Sequence, residues 1–160
     1  MPDSTSNSGQ LMQTASAYQM KDRWLIHSMR RTTAGLLVSC EPFVCLPLEA
    51  EVQVLGETLI TALRRAVGVV QHPTDWKPLA LPRLAVAGVK SERAFQLQSL
   101  LVSVTTIADV ILLLPTRNGG TSGNGKGFHT LEDQGIEVLA NAASERLGAA
   151  LNQAVNKCLR

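Results

Sequence analysis

One pattern of apolar positions occurs twice in this chain. Leu55-Gly56-x-x-Leu59-x-x-Ala62-Leu63-x-x-Ala66 returns as Leu147-Gly148-x-x-Leu151-x-x-Ala154-Val155-x-x-Cys158, 92 positions later (147 − 55 = 92). In the first copy the apolar residues fall at i, i+4, i+7, i+8 and i+11, one stripe along a helix. Eleven residues upstream of each copy a β-branched residue, Val44 or Ile136, opens a short apolar run. The repeated unit therefore reads as strand, short loop and amphipathic helix, with helices predicted over 51–67 and 144–158. Glu49 and Glu51 precede the first helix and Arg64 and Arg65 close it, as the helix dipole favours. Ser144 is the expected cap of the second, with Glu145 in its first turn. A glycine inside a helix costs about 1 kcal/mol against alanine. Gly56 and Gly148 in both copies point to close approach of each helix to a sheet.

Between the repeats the period changes. From Arg23 to Met29, Trp24, Ile26 and Ser28 alternate with Leu25, His27 and Met29, which predicts a first strand. Residues 34–39 predict a second. Pro42 breaks it, and residues 43–48 predict a third, placed at a sheet edge by Pro47. Residues 68–90 carry Pro73, Pro78 and Pro82 and read as an irregular connection containing Trp76. Ser91 and Glu92 start a short helix through Leu97. Residues 100–106 and 109–115 read as a hairpin. Residues 118–127 carry five glycines and form a loop. Further strands are expected at 128–131 and 135–140. Strands grouped in runs, not alternating with helices, give an α+β fold. The sheet is mainly antiparallel, with the two similar helices on one face and a short third helix. The polar, aperiodic residues 1–17 read as a flexible tail, leaving 18–160 as a single domain.

Composition narrows the function classes. Apolar residues are 45% of the chain, charged residues 18% and aromatic residues 4%, a globular composition whose core is aliphatic. A net charge of +2 gives no argument for a nucleic-acid partner. Cys40, Cys45 and Cys158 lack metal-type spacing and read as thiols of a reducing cytoplasm. No basic-then-apolar leader opens the chain, and no apolar run approaches membrane-spanning length.

Three motifs invite chemistry. Gly120 to Gly127 nearly spells a phosphate-binding loop, but Gly127 stands where a magnesium-holding hydroxyl belongs. A strand, not a helix, is expected to follow, so the segment reads as an inter-strand loop. Cys40, His129 and Asp133 could be written as a thiol catalytic set, which needs a base within hydrogen-bond reach of the thiol. No local signature surrounds Cys40, and the three read as a packed thiol, a surface histidine and a turn aspartate. Lys21, Arg23, Arg30 and Arg31 around Trp24 supply the basic and aromatic groups of a single-strand binder. This gives the alternative function, a nucleic-acid-binding module on residues 21–31. Trp76 either locks its loop to the core or anchors a partner.

These pieces, taken in order, resemble the immunity proteins of bacterial contact-dependent growth inhibition. The likeness spans residues 40–159. It is carried by Leu48 with Leu55-Gly56-x-x-Leu59-x-x-Ala62-Leu63, and by Ala87-Gly88-Val89-Lys90-Ser91. It continues through Leu101-Val102-Ser103-Val104, Pro115-Thr116-Arg117, Lys126-Gly127-Phe128 and Ala143-Ser144-Glu145-x-Leu147-Gly148. The resemblance implies a cytoplasmic, non-enzymatic protein without cofactor or metal. Its partner would be the C-terminal domain of a cognate toxin, commonly a nuclease, which it binds and blocks. A slightly basic chain facing a basic nuclease needs a local acidic patch. The expected partner-binding residues are Glu132 and Asp133 with Lys126 of the Gly-rich loop, then Glu49 and Glu51, and Trp76.

Overall fold

The computed structural model describes residues 12–160. The chain order is β1 (Gln13–Gln19), β2 (Arg23–Thr32), β3 (Leu37–Pro47), α1 (Val52–Arg65), β4 (Val69–Val70), α2 (Lys77–Ala87) and α3 (Glu92–Gln98). It continues with β5 (Leu100–Ile107), β6 (Val110–Asn118), β7 (Phe128–Thr130), a 3-10 turn at Glu132–Gln134, β8 (Ile136–Leu139) and α4 (Ser144–Asn156). One sheet runs β3-β2-β1-β5-β6-β7, with β8 also on β6 and the short β4 parallel to β2. All other pairings between these strands are antiparallel. The fold is α+β with α1 and α4 on one face, as the period of the sequence dictates.

The repeat extends beyond the helices. Ser16 on β1 pairs directly with Ser103 on β5. An offset of 87 (103 − 16 = 87) carries β1 and β2 onto β5 and β6, so that the pair Gln19–Trp24 becomes Thr106–Ile111. With 87 for β2 and the helix offset of 92 for β3, the pair Ile26–Val44 becomes Leu113–Ile136 between β6 and β8. The chain thus holds two β-β-β-α units, and their first strands meet side by side in mid-sheet.

The main core lies between the sheet and α1 and α4, and it is the same set of positions twice. Ala15, Ala17, Trp24, Ile26, Leu55, Leu59 and Leu63 answer to Val102, Val104, Ile111, Leu113, Leu147, Leu151 and Val155, all buried together. Leu59 and Leu151 are fully buried, as the stripe requires. Ser28 ties α1 to the sheet, its Oγ donating to the Ala62 carbonyl at 2.6 Å. The helical glycines serve a contact the sequence does not reveal. A Cβ on Gly56 would overlap the Ser144 carbonyl, and one on Gly148 would overlap that of Val52. The close approach is helix to helix, not helix to sheet.

Four further expectations are corrected. The proposed tail boundary at residue 17 is wrong, because β1 is a central strand whose Ala15 and Ala17 are fully buried. Small and polar residues there match no strand pattern, since the strand takes its burial from neighbours on both sides. Residues 1–11 lie outside the described residues. The second and third expected strands are one, β3, and a register shift opposite His27 and Ser28 absorbs Glu41 and Pro42. Residues 77–87 are helix, not irregular connection. Pro78 sits in the first turn, where no donor is needed, and Pro82 is carried inside the helix. Finally, α4 is capped at Ala143 without a side-chain bond, so Ser144 is its first residue. The Ser91 cap is present, its Oγ accepting from the Ala94 N–H at 3.1 Å.

Candidate functional site

The two units leave a second sheet face, opposite α1 and α4, and the segments outside the repeat collect there. The insertion after α1 supplies α2 and α3. The insertion after β6 supplies the Gly-rich loop, β7 and the 3-10 turn. A second core forms under them, with Tyr18, Leu25, Leu84 and Phe95 buried and Phe43 and Phe128 packed against it. The Tyr18 ring lies 4.7 Å from Phe95 and 5.9 Å from Phe128, joining both insertions through one residue of the central strand. Gly88 ends α2 with a left-handed φ of 73°, which a glycine adopts without strain.

Between α2 and this face lies a cleft of about 400 Å³, walled by Met29, Leu37, Val38 and Leu79, with Trp76 on its rim. His27, Tyr18, Arg83 and Glu92 also line it. Arg83 pairs with Glu92 and stacks over Phe95, its Cζ 4.7 Å from the ring centroid. Desolvation pushes the Tyr18 hydroxyl above its ordinary pKa, against the pull of the neighbouring Arg83. Burial lowers His27 to about 4, only partly opposed by its bond to the Ser28 carbonyl. These four residues were not foreseen. The available signal was that both phases of the Arg23–Met29 alternation are apolar or large, which demands cover on both sheet faces.

The residues expected to bind a partner are placed in four groups. Glu132 and Asp133 are exposed on the 3-10 turn, which Leu131 ties to β6 by donating its N–H to the Pro115 carbonyl at 2.9 Å. Lys126 is exposed in the Gly-rich loop just before β7. Trp76, 47% exposed, stands at the cleft with its ring 5.4 Å from His72. Glu49 and Glu51 are exposed in the connection from β3 to α1, beside the helix-covered face. The first two groups and Trp76 thus belong to the inserted segments, and the Glu49–Glu51 pair stands apart from them.

The other constellations come apart. Cys40 lies on β3 and His129 on β7, at opposite ends of the sheet order with four strands between. His129 instead turns its Nε2 to the Gly125 and Lys126 carbonyls at 2.9 and 3.0 Å, closing the Gly-rich loop. Desolvation raises the Cys40 thiol above its ordinary pKa, the opposite of an activated nucleophile. The basic cluster is divided. Lys21 and Arg23 sit at one end of β2, Arg30 and Arg31 towards the other, and Trp24 between them is fully buried and offers no ring for a base. Arg23 pairs with Asp22, and Arg31 donates to the Gly35 carbonyl. Among the described residues no three His, Cys, Asp or Glu side chains converge as a metal site. No helix there is long and apolar enough to cross a membrane.

Known proteins share this architecture. A protein of unknown function from Neisseria meningitidis superposes with a TM-score of 0.73 at 16% identity, covering 92% of this chain and 96% of that one. A chain of the CdiA-CT/CdiI toxin and immunity complex from Yersinia pseudotuberculosis superposes with a TM-score of 0.71 at 15% identity, covering 92% and 98%. At such identities these likenesses establish the fold. No curated protein sequence matches the chain. The model of the CdiI family, the CDI immunity proteins, matches residues 82–158, from the middle of α2 to the end of α4. Over those residues the chain carries the immunity-protein pattern of contact-dependent growth inhibition, as its motifs indicate.

Proposed function

We propose that this protein binds the C-terminal toxin domain of a contact-dependent growth inhibition system and blocks it by occupying its active cleft. The observation that carries the reading is the family match over 82–158, joined to a fold shared with a chain of a toxin–immunity complex. The protein acts as a stoichiometric inhibitor in the cytoplasm of the cell that makes it, without chemistry of its own and without cofactor. Its toxin is a nuclease.

The partner surface is the sheet face built by the insertions. The duplicated units hold the fold, and the inserted segments are free of that duty. They carry Glu132, Asp133, Lys126 and Trp76. A nuclease presents a positive cleft to phosphate, and carboxylates on a projecting turn steer towards it. Glu49 and Glu51 form a secondary contact. A pull-down of this chain with the toxin domain encoded beside its gene, with growth rescue of cells expressing that toxin, tests the proposal. Stable capture and restored growth are expected. No capture and no rescue would overturn it.

A further inference from the structure

Exposed aliphatic side chains gather at one end of the sheet. The register puts the start of β1, the ends of β2 and β5 and the start of β3 at that end, since Thr14 pairs with Met29 and Thr105, and Arg31 with Leu37. Met12, Leu36, Leu37, Val67 and Val69 are exposed there, at the entry to β1, the β2–β3 turn and the α1–β4 connection. All but Leu36 line one shallow hollow of about 300 Å³. Ile107 and Leu139, also exposed, extend the row past the β5–β6 turn, where both pair with Val110. Single apolar residues on a surface need no explanation, but a contiguous group marks an interaction surface.

Arginines are set among these side chains. Arg31 lies between Leu37 on β3 and Val69 on β4, its cross-strand partners. Arg64 and Arg65 close α1 just before Val67, and Arg30 Nε donates to the Arg65 carbonyl at 3.4 Å. None of the four has an ion-pair partner among the described residues. The turns and connections at this end carry Asp75 and Asp109 as their carboxylates, so the surface is basic as well as apolar.

Charge and shape select the occupant. A second copy of this chain would bring the same arginines face to face, where like charges repel. The aliphatic tips come from separate turns spread along the sheet end, and a fluid surface conforms to such an array. A bilayer with anionic headgroups offers hydrocarbon to the tips and phosphate to the guanidinium groups, whose stems lie along the boundary. Trp76 adds the amphipathic ring favoured at headgroup level. It is held at this end by His72, 5.4 Å from its ring, which Thr32 at the end of β2 bonds at 2.9 Å.

We propose that this end of the sheet seats the protein reversibly on an anionic lipid bilayer, with Leu36 and Val67 entering the hydrocarbon boundary and Arg31, Arg64 and Arg65 meeting lipid phosphates. A surface attachment of this kind needs no spanning helix. The Gly-rich loop leaves β6, and Glu49 and Glu51 leave β3, at the opposite end of the sheet, so Lys126 and these carboxylates stay open to a protein partner.

Co-sedimentation of the full chain with vesicles tests this without any toxin. Vesicles of equimolar phosphatidylglycerol and phosphatidylcholine are expected to bind it saturably, about tenfold or more tightly than phosphatidylcholine alone, and added salt should release it. Tryptophan emission should shift to the blue on binding, through Trp76, because Trp24 is already buried. Leu36→Ser with Val67→Ser, and Arg31→Glu with Arg64→Glu, are each expected to weaken binding about tenfold at an unchanged melting temperature. All these positions are exposed, and if one pair fails to fold the other decides. No binding to anionic vesicles, equal binding to neutral ones, or folded variants that bind like wild type would overturn the proposal. Sedimentation equilibrium of the free chain covers the alternative. A dimer that Leu36→Ser with Val67→Ser dissociates, without vesicle binding, would assign the surface to a second copy and overturn the proposal as well.

Discussion

Gly56 of α1 packs directly against the backbone carbonyl of Ser144, the first residue of α4, and Gly148 of α4 packs against that of Val52, the first residue of α1. The contact is reciprocal because the two units are copies, and it sets how closely the helices cross. Alanine at either position gains about 1 kcal/mol of helix propensity but must push a backbone aside. Gly56→Ala and Gly148→Ala are each expected to destabilise the protein by about 2 kcal/mol or more. The double variant should lose less than the sum, since one separation of the helices relieves both clashes. Urea denaturation of the three variants measures this. Wild-type midpoints would show that the helices can part freely.

Truncation reverses an expectation drawn from the sequence. β1 pairs with β2 on one side and β5 on the other, so it joins the two units. Removing residues 1–17 takes away most of that strand and opens the sheet at its centre. The truncated chain is expected to lose its cooperative unfolding transition and its near-ultraviolet circular dichroism. A cooperative melt within a few degrees of wild type would show that β2 and β5 can close the gap.

The parts of the fold legible in the sequence were those with a strong period. The α1 and α4 stripes, the hairpin of β5 and β6 and the Ser91 cap follow from residue spacing alone. Two central facts did not. β1 reads Gln-Thr-Ala-Ser-Ala-Tyr-Gln, and small side chains suffice there because neighbouring strands and the layers above and below bury it. α2 carries two prolines that a count of breakers treats alike, although only Pro82 removes a bond the helix could make. The site was legible only in fragments. The exposed carboxylates and Trp76 stand out by type, but the convergence of Tyr18, His27 and Arg83 from three elements depends on sheet register and on a helix that was not expected.

The depressed pKa of His27 makes stability depend on pH. In the folded protein it titrates at about 4, and in the unfolded chain near the ordinary histidine value of 6.5. Between those values the unfolded state binds the extra proton, so stability falls as pH falls from 6.5 through 4. The full difference is about 3 kcal/mol. His27→Leu should therefore flatten the slope across this window. Melting temperatures of the two proteins across that window check this, and equal slopes would assign the dependence to other groups.

The carboxylate pair bears on the proposed neutralisation. Glu132 and Asp133 project from a 3-10 turn held to β6 only through its flanks, beside the longest loop outside the repeat. Neither carboxylate has an ion-pair partner among the described residues. They are exposed, so in the free protein they are solvated and contribute little to stability. In a complex with a basic cleft the same exposure is an advantage, because approach is steered by charge and contact desolvates the pair. Replacing both with lysine is expected to leave the melting temperature unchanged and to weaken toxin binding by about 2 kcal/mol or more. The association rate should fall most at low salt and converge with wild type as salt screens the field. Surface plasmon resonance at several ionic strengths separates the two effects. If affinity and low-salt association rate stay at wild-type values, the contact lies elsewhere on the inserted face, and the cleft at Trp76 becomes the place to look.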